Sequence, residues 1–191
     1  YSTNGTKTRG TLNNCGTGYT PWGTFLTGEE NWAGYFTRSA TDNAARADKS
    51  VASLNRYGRS QRAASRHGRE TAGSEDHYAR FNISQQGTST DGSDDYRNEL
   101  NGFGYIVEMD AYDKTAALKK RTALVAQSWE GLEVLHNGVV IGGDELRGSD
   151  DFDGGAIFRF VPETFYECQG GPVRPGLLCG NTISDLDDSP F

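Results

Sequence analysis

Cys15 lies in Leu12-Asn-Asn-Cys-Gly16, and two adjacent carboxylates, Glu29 and Glu30, precede Asn31 further along the chain. A thiolate is a soft ligand that suits a transition metal, whereas carboxylates are hard ligands that also suit calcium or magnesium. Between them, Gly16, Gly18 and Pro21 mark turns, and Trp22-Gly-Thr-Phe-Leu-Thr27 reads as a short strand of aromatic and β-branched residues. A loop, a strand and a loop of this kind bring the sulfur and the carboxylates towards one place. A further carboxylate, Glu130, follows the strand-like Lys119-Lys-Arg-Thr-Ala-Leu-Val-Ala126. A carboxylate beside an apolar strand needs a partner to offset its burial, and a metal is one such partner.

The elements that must carry these groups are short strands. Of 191 residues only 35% are hydrophobic while 25 are glycine, which disfavours a helical bundle and favours strands joined by tight turns. Further strands are predicted at 78–83, 102–109 and 154–161, with a hairpin over Glu133–Gly142 turning at Asn137-Gly138. The fold class is therefore all-β. Residues 38–70 differ: Arg38, Arg46, Lys49, Arg56, Arg59, Arg62, Arg66 and Arg69 form the basic part of an acidic chain. Alanines there predict a helix capped at Thr41 or Asp42, running to about Leu54 and stopped by Asn55-Arg-Tyr-Gly58. Its thin apolar face predicts a helical surface insertion with solvated arginines, although guanidinium also matches phosphate bidentately. Asp91-Gly-Ser-Asp-Asp95 fits no complete calcium-loop motif and reads as a solvated turn.

The net charge of −7 argues against nucleic acid as the main partner and is compatible with calcium. No apolar run is long enough to span a bilayer as a helix. The three cysteines are Cys15, Cys168 and Cys179. Cys168 and Cys179 flank a Gly/Pro-rich loop and are either a local disulfide, which suits an oxidising compartment, or two free thiols. His67, His77 and His136 show no ligand spacing. The chain opens on Tyr1 rather than Met, which suggests a segment of a longer protein.

Leu12-Asn-Asn-Cys15, Thr20-Pro-Trp-Gly-Thr24 and Glu29-Glu-Asn-Trp32 together resemble the signature of PhoX-type alkaline phosphatases. Trp129-Glu-Gly131, Gly143-Asp-Glu-Leu-Arg147 and Ile157-Phe-Arg-Phe-Val161 extend the resemblance. Three features depart from the family pattern: Gly28 stands where a second cysteine is often found, Trp129 where histidine is typical, and the Asp144-Glu145 stretch is altered by Leu146 before Arg147.

The resemblance implies that residues 1–191 are part of a β-propeller, with residues 38–70 as its insertion. A blade takes roughly 40–50 residues, so this segment supplies only some blades, and the rest come from the parent chain or a partner chain. It also implies a mixed iron and calcium centre. Cys15 would bind iron, Glu130 would bridge or bind metal, and Glu29 or Glu30, with Asp144 or Glu145, would give calcium oxygens. The implied substrate is a phosphomonoester, with Glu130 and Arg147 in catalytic roles and Arg147 facing charge on the transferring phosphoryl. The implied location is outside the cytoplasm, periplasmic or extracellular. The alternative is a calcium-stabilised structural or binding propeller without turnover. A sugar-lactone hydrolase is a third option, and the Cys15 motif speaks against it.

Overall fold

The computed structural model describes residues 4–145 and 155–166, so Arg147, Cys168 and Cys179 lie outside the described residues. Two antiparallel sheets carry the architecture. The first holds β1 (Asn14–Tyr19), β2 (Phe25–Glu29), β3 (Ile106–Met109) and β4 (Lys119–Lys120) in that spatial order. The second holds β5 (Trp129–Val134), β6 (Val140–Asp144) and β7 (Ala156–Phe160). The expected hairpin is present, with Val134 opposite Val140 and Gly138 at a φ of 86°. The long strand expected over 119–126 is cut to two residues. A 3-10 turn at Thr122–Leu124 follows, and the chain crosses from the first sheet to the second there, with Gln127 N donating to Gly104 O at 2.8 Å.

Glycines set how closely the sheets approach. A Cβ on Gly16 would meet the Gly131 Cα at 2.7 Å, and one on Gly18 would meet the Leu132 O at 3.0 Å. Side chains at those positions would hold β1 and β5 apart. The apolar residues between the sheets are Leu26, Ile106, Leu124, Trp129, Leu132, Val134 and Val140, all buried. Burying each such side chain contributes about 1.5–3 kcal/mol relative to exposure.

A second core lies under the long connection between β2 and β3. Leu12, Trp32, Phe36, Leu54, Phe81, Ile83, Leu100 and Phe103 form it. Only one extended helix arises within 38–70, α1 (Asp48–Arg56), which begins later than predicted. Asp42 does not cap it. That carboxylate is buried, and its Oδ2 takes Arg38 Nε at 2.7 Å and Arg46 Nε at 2.6 Å. Arg38 is itself 3% exposed, so the prediction of solvated arginines fails there because Asp42, Asn43 Oδ1 and Arg59 O satisfy its guanidinium. Residues 78–83 are not a strand either. α2 (Asp76–Ala79) occupies the start, and Phe81 and Ile83 turn into the core. No helix among the described residues is long and apolar enough to cross a membrane.

Candidate metal centre

Glu29 and Glu30 are neighbours with opposite environments, because successive residues along an extended chain face opposite ways. Glu29 is completely buried. Its Oε1 accepts from Leu12 N at 2.8 Å and its Oε2 from Gly104 N at 2.9 Å and Tyr105 N at 3.1 Å. Lys120 Nζ reaches both oxygens, at 2.9 and 3.1 Å. Every one of these donors is protein, so the Glu29 carboxylate ties β1, β3 and β4 together and is set apart from the other proposed ligands.

Glu30 faces the sulfur. Ligand atoms of Cys15, Glu30 and Glu130 all lie within 4.8 Å of one another. Three features build this cluster. Asn13 takes a left-handed φ of 51° and its carbonyl receives Glu30 N at 3.1 Å, which seats Glu30 beside the start of β1. The amide of Asn13 meets Glu30 Oε2 at 3.4 Å, and that of Asn31 donates to Glu30 Oε1. The close approach of Gly16 to Gly131 then sets the preceding residues, Cys15 and Glu130, side by side.

The electrostatics match this crowding of like charges. Glu130 is raised from the ordinary carboxyl value by its hydrogen bond with Glu145, then by desolvation and by Glu30. The Cys15 thiol is pushed up by desolvation and by Glu30, Glu130 and Glu145. Asp144 is raised by burial, partly offset by Ser128 N donating to its Oδ1 at 2.8 Å and by the charge of Arg56. A multivalent cation reverses all these penalties, since it favours the ionised form of each ligand. One sulfur with carboxylates beside it is a mixed soft and hard donor set of the kind that suits a metal ion.

Glu30, Asp144 and Glu145 also wall a cavity of about 210 Å³. Arg56, Arg59 and Arg66 lie in its lining, as does Gln127. A larger groove of about 1110 Å³ runs along Lys119–Thr122, but it shares no lining residue with the carboxylate cluster. The sequence reading weighed these three arginines for phosphate and placed them in solvent instead. Their convergence depends on the fold of the 38–70 segment, and the periodicity of a polar stretch carries no signal for it.

Two of the departures from the family pattern, Gly28 and Trp129, touch each other. A Cβ on Gly28 would lie 2.4 Å from the Trp129 Cβ, and one on Gly142 would lie 2.3 Å from the Trp129 ring. Trp129 thus fills space that any side chain at position 28 would need, and its Nε1 donates to Gly104 O at 3.1 Å.

Residues 1–178 match the family described as alkaline phosphatase PhoX. Among solved structures, Pseudomonas fluorescens PhoX in complex with vanadate, a transition state analogue, is 34% identical with a TM-score of 0.55. That match covers 73% of this chain and 21% of the Pseudomonas chain, so this chain spans about a fifth of that protein's length. No curated protein matches the chain. With all but the last residues matched, the chain belongs to the PhoX alkaline phosphatase family.

Proposed function

We propose that this chain supplies part of the active centre of an exported phosphomonoesterase that works with iron and calcium. The observation that carries this reading is the convergence of Cys15, Glu30 and Glu130 within 4.8 Å. A structural calcium site needs carboxylates but gains nothing from a thiolate. Cys15 is assigned to iron, Glu130 to bridging or binding metal, and Glu30 with Glu145 to calcium. Glu29 is reassigned from ligand to positioning residue, because protein donors already surround its oxygens. Asp144 holds Ser128 N and so fixes the entry to β5 beside Glu130. Arg147 retains the role of facing charge on the transferring phosphoryl.

When bound, the metals neutralise phosphate oxygens and lower the pKa of bound water. The chain's own residues hold and orient. Asn13 and Asn31 aim the Glu30 carboxylate, and the Gly16–Gly131 contact fixes the spacing between sulfur and Glu130. Ile157 is 83% exposed on the outer strand β7, and Tyr19 is 75% exposed on the outer strand β1. Both suit a propeller domain whose remaining blades, from the parent chain or a partner chain, cover these edges.

The test is the iron and calcium content of chelator-free protein, by elemental mass spectrometry, together with release of phosphate from a chromogenic phosphomonoester. Near-stoichiometric iron with calcium supports the reading, and Cys15→Ala then loses the iron. Calcium without iron overturns it.

A further inference from the structure

The 210 Å³ cavity is lined by arginines as well as carboxylates. Arg56 is the last residue of α1, and its charge acts on Asp144, which also lines the cavity. Arg66 is placed by its backbone, with N donating to Gly34 O at 2.8 Å. Its stem lies over Gly34, where a Cβ would come within 3.0 Å of the Arg66 Cδ. Arg59 is anchored through Nη1, which donates to Phe36 O at 3.2 Å and to Ala64 O at 3.1 Å. Burial, and then the charge of Arg66, pull Arg59 below the usual guanidinium value, and both residues line the cavity. No carboxylate pairs with Arg56, Arg59 or Arg66 among the described residues.

Two lining atoms are left over. Arg59 Nε and Gln127 Oε1 are buried and have no hydrogen-bond partner among the described residues. One is a donor and the other an acceptor, and a buried polar atom of either kind costs about 1–3 kcal/mol when unsatisfied. An occupant that satisfies both offers one acceptor and one donor, and a protonated oxyanion carries both.

We propose that this cavity is a phosphate subsite of the chain, in which Arg56, Arg59 and Arg66 bind the oxygens of a tetrahedral oxyanion and Gln127 Oε1 accepts a hydrogen bond from its O–H. The cavity volume exceeds what one phosphate fills, so an attached group is accommodated too. The assignment rests on the proposed phosphatase reading only for its purpose. The binding itself follows from the arginines and is separable from turnover.

The experiment is calorimetric titration of the full chain with inorganic phosphate and, separately, with phenylphosphonate. Each is run with metals as purified and after chelation, with iron and calcium measured on the same samples. The variants are Arg56→Gln/Arg66→Gln, both at exposed positions, and Arg59→Lys, which keeps the charge but removes Nε. Circular dichroism checks that each is folded. Phosphate affinity is expected to fall at least tenfold in the double variant and several-fold in Arg59→Lys, with metal content unchanged. Phenylphosphonate showing the same arginine dependence places the substrate's phosphoryl there. Arginine-dependent binding of inorganic phosphate alone places the released product there. Absence of phosphate binding in the parent chain, or affinities within twofold across all variants, overturns the proposal. Arginine-dependent binding by a chain that holds no iron sustains the subsite while refuting the phosphatase reading.

Discussion

Glu29 and Glu30 share a peptide bond and belong to two kinds of site. Around Glu29 the protein supplies every partner: three backbone N–H groups and the Lys120 ammonium, with the carboxylate fully buried. Around Glu30 it supplies two amides and then further ligand atoms of its own sign, the Cys15 sulfur and Glu130. The first arrangement is complete as it stands. The second crowds groups of like sign, a penalty that a bound cation would offset. Elsewhere the same division holds. Asp42 and Glu108 are buried, which would raise them, yet bonds from Arg46 and Arg38, and from Thr24, Trp22 and Arg121, carry both below the usual carboxylate value. Glu130 and Asp144 are raised. Structural carboxylates in this protein are those with cations and N–H donors around them. In the candidate site such donors are fewer, and the carboxylates Glu30 and Glu130 crowd one another and the Cys15 sulfur.

The largest effect that separates the two is expected at Glu29. Glu29→Ala removes the counter-charge of Lys120, whose side chain is 11% exposed, and orphans the three N–H groups. Breaking a buried pair from one side costs about 3–5 kcal/mol. Glu30→Gln should leave the unfolding midpoint in denaturant almost unchanged while metal affinity falls at least about tenfold, as loss of even an outer-sphere partner can. Equal destabilisation by the two substitutions would erase the comparison.

Next in size is Gly28→Ala. The new methyl would sit 2.4 Å from the Trp129 Cβ, so β2 and β5 must separate, at about 1–3 kcal/mol for such overpacking. Separation also moves Glu130 from Cys15, so metal affinity should fall together with stability. A double-mutant cycle with Trp129→Ala measures the coupling, and additivity within about 0.5 kcal/mol would show that the two positions are independent.

Acid titration probes the structural carboxylates as a set. The folded pKa of Asp42 is depressed, so its stabilisation is complete above the unfolded carboxylate value. It declines as pH falls from there towards the lower folded value and is gone below it. Asp42→Asn should therefore flatten the acid limb of the stability profile, and an unchanged limb would show that Arg38 and Arg46 do not stabilise the ionised form.

How much of this was legible depended on whether a residue's role was local. Cys15, Glu30 and Glu130 could be named because each sits in a distinctive short motif, and the strands that carry them have clear turn and β-branched signals. Which of Glu29 and Glu30 would face the sulfur was not legible. It depends on the parity of β2 against β1, and that pairing shifts register between Asn14 and Thr17. Arg56, Arg62, Arg66 and Arg69 are exposed as expected, whereas Arg38, Arg46 and Arg59 were misjudged for a different reason. A polar segment normally stays in solvent because it has little apolar surface to bury. Here Asp42 pairs with both Arg38 and Arg46 inside, and Trp32, Phe36, Phe81 and Phe103 from outside the segment supply the apolar surface around Leu54. Side chains at 56, 59 and 66 come to one cavity only after that core has formed.

The smallest expected effect is the most discriminating. Glu130 is exposed and its carboxyl is raised by Glu145, by desolvation and by Glu30, so in the metal-free chain its charge opposes folding rather than supporting it. The sign follows from linkage: a group whose folded pKa is raised loses its stabilising contribution as pH rises through that value. Glu130→Gln removes the charge with little change of shape. In metal-free protein near neutral pH it should raise stability slightly, by no more than about 0.5 kcal/mol, the usual range at an exposed position. With calcium and iron present the same substitution should lower the thermal midpoint, because a ligand that binds only the folded state no longer contributes its share. That reversal of sign on adding metal is what a structural carboxylate cannot produce. If Glu130→Gln destabilises the metal-free chain as well, Glu130 belongs with Glu29 and the centre must be sought elsewhere.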